Sequence, residues 1–303
     1  MKFTISILIL IFLNLNTNCV AQSEVVKAVQ LDSVMIEAVD RGFSVEDFIQ
    51  LVKDDTSFYK AFKNLHYFPY RMHSDLYVFN KELQVVARQE RKARQYVKDR
   101  KKWVVIEVEN VSGKFYKRKK KFRYYTAEML DRIFFKTDTL FASNRIGNSV
   151  TDPDSNIEKL KILIFNPGAE VSGVPGAGKK LAIFDDRMSS YYNYKIESKI
   201  YRDSIQCYVF SVKVKDKEML EKGKVVIEDL VTYFNKRDFT IVARNYDMAY
   251  SSLLFDLDVS IKVDHFSKEG NLLPIGFSYN GYWKIAGKRA EIIKFAVSFD
   301  DYN

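Results

Sequence analysis

Phe255-Asp256-Leu257-Asp258-Val259-Ser260-Ile261-Lys262-Val263-Asp264 alternates apolar and polar residues without a break. A period of two sends Phe255, Leu257, Val259, Ile261 and Val263 to one face of a strand and the Asp, Ser and Lys side chains to the other. One face is therefore buried and the other wet. Segments of similar character surround it, at residues 191–201, 205–214, 224–234, 239–250, 273–279, 282–286 and 290–299. Their links are short: Asn235 to Asp238, Lys268-Glu269-Gly270-Asn271, and Asn280-Gly281, which reads as a two-residue hairpin turn. Links this short join antiparallel neighbours. Residues 181–303 are thus expected to form a large curved antiparallel sheet, a half-barrel-like meander with one face covered. The sequence shows no repeat of fixed period, which argues against a propeller or solenoid.

Upstream the pattern is mixed, so the fold class expected for the whole chain is α+β. Ser44-Val45-Glu46-Asp47 reads as a capped helix start, with Phe48, Leu51 and Val52 at helical spacing. Asp54 or Asp55 caps a second helix whose stripe is Phe58, Ala61, Phe62 and Leu65. Strands are expected near residues 31–38 and 75–80. The charged stretch 88–102 reads as a helix or an extended edge. Residues 103–109 and 114–125 read as a β-hairpin turning at Val111-Ser112-Gly113, after which Thr126 caps a helix carrying Met129, Leu130, Ile133 and Phe134. Residues 143–156 are polar and turn-rich, and a helix with Ile157, Leu160 and Ile164 on one face follows, stopped by Pro167-Gly168. The division expected is 1–21, a signal peptide; 22–142, an α+β region with the helical pair and the basic hairpin; 143–180, linker, helix and Gly/Pro loop; and 181–303, the meander.

The signal peptide is read from Lys2, the apolar run from Phe3 to Leu15, and the small residue Ala21 before Gln22. The run is too short for a bilayer span, which needs roughly 20 apolar residues. Export to the periplasm, or to the outer membrane or beyond it, follows. Cys19 lacks the residues of a lipidation signal before it, so cleavage after Ala21 is the preferred reading over a lipoprotein anchored through Cys19. Cys207 is then the one cysteine left, no internal disulfide forms, and its apolar surroundings mark it as a buried inert thiol. Hydrophobic residues make up 47% of the chain and aromatic ones 15%, a balance that suits half-buried strands.

The net charge of +9 is concentrated between Arg88 and Arg123, where fifteen Lys and Arg face four acids. Such a region is either a solvated outer face or a surface for anions, and the solvated face is the preferred reading. Within it Lys117, Arg118, Lys119, Lys120, Lys121 and Arg123 interleave with Tyr116, Phe122 and Tyr124. In an exported protein the matching partner is an anionic lipid or glycan surface rather than nucleic acid.

Enzyme motifs fail on context. Gly173-Val174-Pro175-Gly176-Ala177-Gly178-Lys179-Lys180 approaches a phosphate-binding loop, but Lys180 stands where a Ser or Thr hydroxyl would hold magnesium. An apolar strand, residues 181–184, is expected after it where a helix is needed. No nucleotide, cofactor or metal is expected. His66, His73 and His265 have no metal-ligand spacing, and His265 continues the inward series ending at Val263. No Gly-x-Ser-x-Gly elbow exists, and the pairs Asp185/Asp186 and Asp256/Asp258 read as solvated carboxylates. No catalytic residue is assigned.

Asp47-Phe48-Ile49, Phe58-Tyr59-Lys60-Ala61-Phe62-Lys63-Asn64-Leu65 and Val242-Ala243-Arg244-Asn245-Tyr246 resemble segments of uncharacterised exported proteins of Bacteroidota, a resemblance that brings no activity. In strand order the meander also resembles the half-barrel of periplasmic lipoprotein carriers of the LolA/LolB-like group. That resemblance implies an apolar groove around helices and carries no site residues. Two functions remain: a non-enzymatic envelope protein binding an apolar or lipid-like ligand in the concave sheet, or an envelope scaffold with a filled core. The sequence leans to the first and does not fix the oligomeric state.

Overall fold

The computed structural model describes residues 45–53, 57–137, 139–141, 168, 170, 176–253, 255–285, 287 and 289–302. The expected signal peptide, the strand at 31–38, the caps at Ser44 and Asp54 or Asp55, and the linker and helix at 143–164 lie outside them. Two helices open the described chain: α1, Val45–Lys53, and α2, Ser57–Asn64. Three strands follow, β1, Tyr70–Phe79, β2, Val85–Lys98, and β3, Lys101–Gly113, then helix α3, Tyr125–Phe134, and the short β4, Leu140–Phe141. After the short helix α4, Asp186–Ser189, come β5, Tyr192–Tyr201, and β6, Ile205–Val214. The one-turn helix α5, Glu218–Glu221, leads into β7, Ile227–Asn235, β8, Ile241–Ser251, β9, Phe255–Lys268, β10, Asn271–Ile285, and β11, Glu291–Asp300.

All eleven strands of the described residues belong to one sheet in the order β4-β3-β2-β1-β11-β10-β9-β8-β7-β6-β5, and each is antiparallel to its neighbours. Pairing of β1 with β11, from Arg71 opposite Asp300 to Phe79 opposite Ile292, sews the two ends of the chain together. Bulges in β2, β3, β7, β8 and β10 bend the sheet. The curvature carries the β5–β6 turn across the outer face, where Tyr201 donates to Asp264 on β9 and Arg202 reaches the same carboxylate at 2.6 Å. Beneath this turn lies a small outer cluster of Cys207, Val209 and Val242, and burial pushes the Cys207 thiol up to about 11.

The inner face is continuous with one large core. Tyr192, Tyr194, Tyr208, Phe210, Phe234, Tyr246, Phe277 and Phe295 point into it, and helices cover them. Phe48 of α1 is wholly buried against Tyr208, Phe210, Phe234 and Phe239, with ring centroids 5.6–6.4 Å apart. Asn64 at the end of α2 donates to the Leu272 carbonyl of β10 at 2.9 Å. Phe134 of α3 meets Phe277 at 5.2 Å and Phe295 at 5.5 Å.

Five local expectations are corrected. Residues 88–102 form neither helix nor edge: β2 is an interior strand, and its charged side chains alternate with Ala87, Gln89, Arg91, Ala93 and Gln95 on the buried face. The hairpin partner of β3 is β2, turning through Asp99 and Arg100, both at positive φ. Residues 114–124 form a loop with one turn at Arg118–Lys120 and a single bridge, Tyr116 to Phe122. Residues 181–184 form a 3-10 turn and a bend, because all four side chains are buried as part of the cover instead of alternating. The α3 N-terminus takes its cap from across the chain: the Glu291 carboxylate accepts from the Tyr125 and Thr126 amides at 2.7 and 2.9 Å.

The fifth correction concerns Asn280-Gly281. β10 runs straight through it, with Asn280 opposite Ser260 and Gly281 opposite Val259. Glycine is needed there for space: a Cβ on Gly281 would lie 2.5 Å from the Tyr279 hydroxyl oxygen and 2.7 Å from its Cζ. Tyr279 is buried, so its ring cannot swing away freely. Gly281→Ala should therefore destabilise the fold by about 1–3 kcal/mol, the usual cost of overpacking. Chemical denaturation would read the loss, and in a Tyr279→Ala background the same substitution should cost much less.

Candidate functional site

The inner face presents two chemically distinct zones. Under α1 and the 176–190 segment it is aromatic. Tyr194 donates to the Ile183 carbonyl at 3.2 Å and Tyr192 to that of Ile227 at 3.0 Å, so these hydroxyls are satisfied. Tyr208 and Tyr246 differ: their hydroxyls are buried and have no hydrogen-bond partner among the described residues. The Tyr279 hydroxyl on the same face is a third such group, and a buried hydroxyl without a partner costs about 1–3 kcal/mol, so together they call for a reason. Lys236 lies 4.7 Å above the Tyr208 ring, and Phe239 stacks on it at 5.7 Å.

Deeper along β7–β9 lies a polar group of side chains. Arg244 is fully buried and donates from Nε to the Thr232 hydroxyl at 3.1 Å. His265 is buried near it, with Phe62 of α2 edge-on at 6.2 Å. Burial, reinforced by the Arg244 charge, lowers the His265 pKa to about 3, so the imidazole is neutral in the fold.

The second zone spans β2, β3, the 114–124 loop and α3. Arg91 is almost wholly buried on the inner face. Its Nε donates to Glu109 at 2.9 Å, Nη2 to the Tyr116 hydroxyl at 3.1 Å, and Nη1 pairs with Asp131 of α3. Gln89 donates to Glu109 and to Tyr116, and Tyr116 donates to Glu109 at 2.7 Å. Burial raises the Glu109 carboxyl, but hydrogen bonds from Tyr116 and Arg91 outweigh it and hold the pKa below the ordinary value. At Asp131 burial wins over Arg91 and the pKa rises. Burial and the Glu109 contact push Tyr116 up to about 12. This knot ties helix, sheet and basic loop together.

The sequence-predicted basic residues Lys117, Arg118, Lys119, Lys120, Lys121 and Arg123 are all exposed on that loop. Buried Phe115, stacked edge-on with Tyr116 and Phe122, anchors the loop. The acid pairs stay apart from the inner face. Asp185 and Asp186 are exposed at the start of α4, and Asp256 accepts from Ser251 at 2.7 Å on the outer face. Lys180, the lysine of the loop resembling a phosphate site, donates to the Gly223 carbonyl and lies 4.9 Å above the Tyr250 ring. Among the described residues no group of three His, Cys, Asp or Glu is placed to hold a metal. Sequence reading missed Tyr208, Tyr246 and Arg91. Arg91 was detectable from the period-2 series Ala87, Gln89, Arg91, Ala93, Gln95, which sets it on the face opposite Arg88, Lys92 and Arg94.

Solved structures of the LolA superfamily are similar to this chain. A LolA superfamily protein from Nitrosomonas europaea aligns over 86% of this chain and 93% of its own, at 9% identity and a TM-score of 0.24. A putative outer membrane lipoprotein-sorting protein domain from Vibrio parahaemolyticus aligns over 81% and 90%, at 7% identity and a TM-score of 0.26. A lipovitellin structure, described for its lipid–protein interactions, covers 78% of this chain with 25% of its own length, at 9% identity and a TM-score of 0.29. At these scores no residue role is transferred. No protein-family model matches the sequence, and no curated protein matches it either.

Two outcomes are expected of these buried titratable groups. Arg91→Met should cost about 3 kcal/mol, because it leaves Glu109 and Asp131 without their shared cation; urea unfolding measures it. His265 is neutral in the fold but takes a proton when unfolded below its ordinary pKa of 6.5. Stability should therefore fall as pH drops below 6.5 toward 3, by up to about 1.4 kcal/mol per pH unit. His265→Phe should flatten that part of the pH–stability curve.

Proposed function

We propose that this is a non-enzymatic protein of the cell envelope that takes an apolar, lipid-like ligand on the inner face of the sheet. The observation that carries this reading is the aromatic lining of the inner face, in which the hydroxyls of Tyr208, beneath α1, and of Tyr246, further along β8, are buried without a partner among the described residues. An acyl or isoprenoid chain suits the rings, and an ester or headgroup oxygen would accept from the hydroxyls. Phe48 is the group such a chain displaces, being a single ring from a nine-residue helix inserted among four others. The apolar run at residues 3–15 supports export to a compartment where such ligands are handled.

A second reading, an envelope scaffold with no small ligand, is favoured by one fact: Phe48, Tyr208, Phe210 and Phe234 already close this part of the interior. Native mass spectrometry of protein taken from a bacterial periplasm separates the two. The ligand reading expects an added mass of lipid size that leaves on collisional activation, with Phe48→Ala increasing the loaded fraction. A bare chain in both proteins would leave the scaffold reading standing alone.

A further inference from the structure

The strands pair so that the end of β1, the start of β2 and the end of β3 lie side by side at one end of the sheet, an edge made of strand ends rather than of an unpaired strand: Phe79 stands opposite Val85, and Ala87 opposite Gly113. Two features meet there. The first is the β1–β2 turn, Asn80-Lys81-Glu82-Leu83-Gln84, which holds Leu83 in the left-handed region at φ 59° with 69% of its surface exposed. Asn80 fixes the turn, accepting the Gln84 amide on Oδ1 at 2.8 Å and the Leu83 amide on its carbonyl at 3.1 Å. Val85, Val86 and Val111 are exposed beside it. Clustered exposed aliphatic side chains at a loop tip have no use in water.

The second feature is the basic loop that leaves β3 at this same edge. From Lys114 to Tyr125 it carries seven Lys and Arg and no acid, all seven are exposed, and none pairs with a described acid. Lys119 and Lys120 both adopt positive φ, 58° and 52°, in the turn at the tip of the loop. The loop is held from behind by Phe115 and by Tyr116 in the Arg91 knot. The only acid in the β1–β2 turn is Glu82. Aliphatic side chains set beside a dense, unneutralised positive charge match an anionic bilayer, where the first enter the acyl boundary and the second meets the phosphates. A soluble polyanion would use the lysines and leave Leu83, Val85 and Val86 without a role.

We infer that this edge, Leu83 with Val85, Val86 and the Lys114–Arg123 loop, is a docking surface for an anionic lipid bilayer. The inference stands apart from the ligand reading, since it uses none of the inner face. The test is co-sedimentation of the protein, expressed from its full sequence, with phosphatidylcholine vesicles with and without phosphatidylglycerol. Binding is expected to require phosphatidylglycerol and to weaken as salt screens the lysines. Replacing Lys117, Lys119, Lys120 and Lys121 together by Ser should weaken it at least about tenfold. Leu83→Trp should shift its emission to the blue on vesicles, measured as the difference from the parent protein. These side chains are exposed, so the variants should keep the parent's melting temperature. Undiminished binding by the lysine variant, an unshifted Leu83→Trp spectrum, or binding to heparin without binding to vesicles would each overturn the inference.

Discussion

A sheet one layer thick has two faces, and only one of them can meet water when the other is lined with Tyr and Phe. This constraint organises the whole molecule. The eleven strands make one surface because β1 locks onto β11 along nine residue pairs, and that junction joins the N-terminal third to the meander. Every other element serves the face so formed. α1 contributes Phe48, α2 is tied to β10 through Asn64, and α3 lies on β10 and β11 through Phe134. The 181–184 segment abandons regular structure to bury four consecutive apolar side chains. The outer face is mostly charged, through pairs such as Arg88 with Asp75 at 2.7 Å on β2 and β1, with the small Cys207, Val209 and Val242 cluster under the β5–β6 turn as its apolar part.

Much of this architecture was legible in the sequence, because period-2 alternation is a direct consequence of the pleat. Ile205–Val214 is found with the bounds expected, and the curved antiparallel α+β sheet is as expected. Legibility failed where a residue's usual local meaning was overruled by a distant partner. Asn280-Gly281 has turn chemistry, yet Gly281 is there to leave room for Tyr279. Residues 114–125 read as a strand, but β3 makes its hairpin with β2, and buried Phe115 and the Tyr116–Phe122 bridge fold this segment into a loop instead. Thr126 looked like a cap, and the helix is capped by Glu291, 165 residues away.

The candidate site was less legible than the fold, for a physical reason. An inward tyrosine has the same sequence pattern whether its hydroxyl finds a carbonyl, as Tyr194 does, or finds none, as with Tyr208. Arg91 was hidden differently, as one cation in a run of them, although its parity along β2 places it alone on the buried face. The basic loop was visible from composition. Its neighbour Leu83 became significant only when strand pairing brought the two to one edge of the sheet.

The central claim is that a stable sheet carries a separable helical cover over an aromatic face that can receive a ligand. Native-state hydrogen exchange resolved by residue tests it most directly. The account predicts that amides of α1 exchange through a low-energy local opening while those of β1 and β11 remain protected until the whole fold is lost. Exchange of α1 only by global unfolding, in step with the β1–β11 junction, would contradict it and make the cover a fixed part of the core.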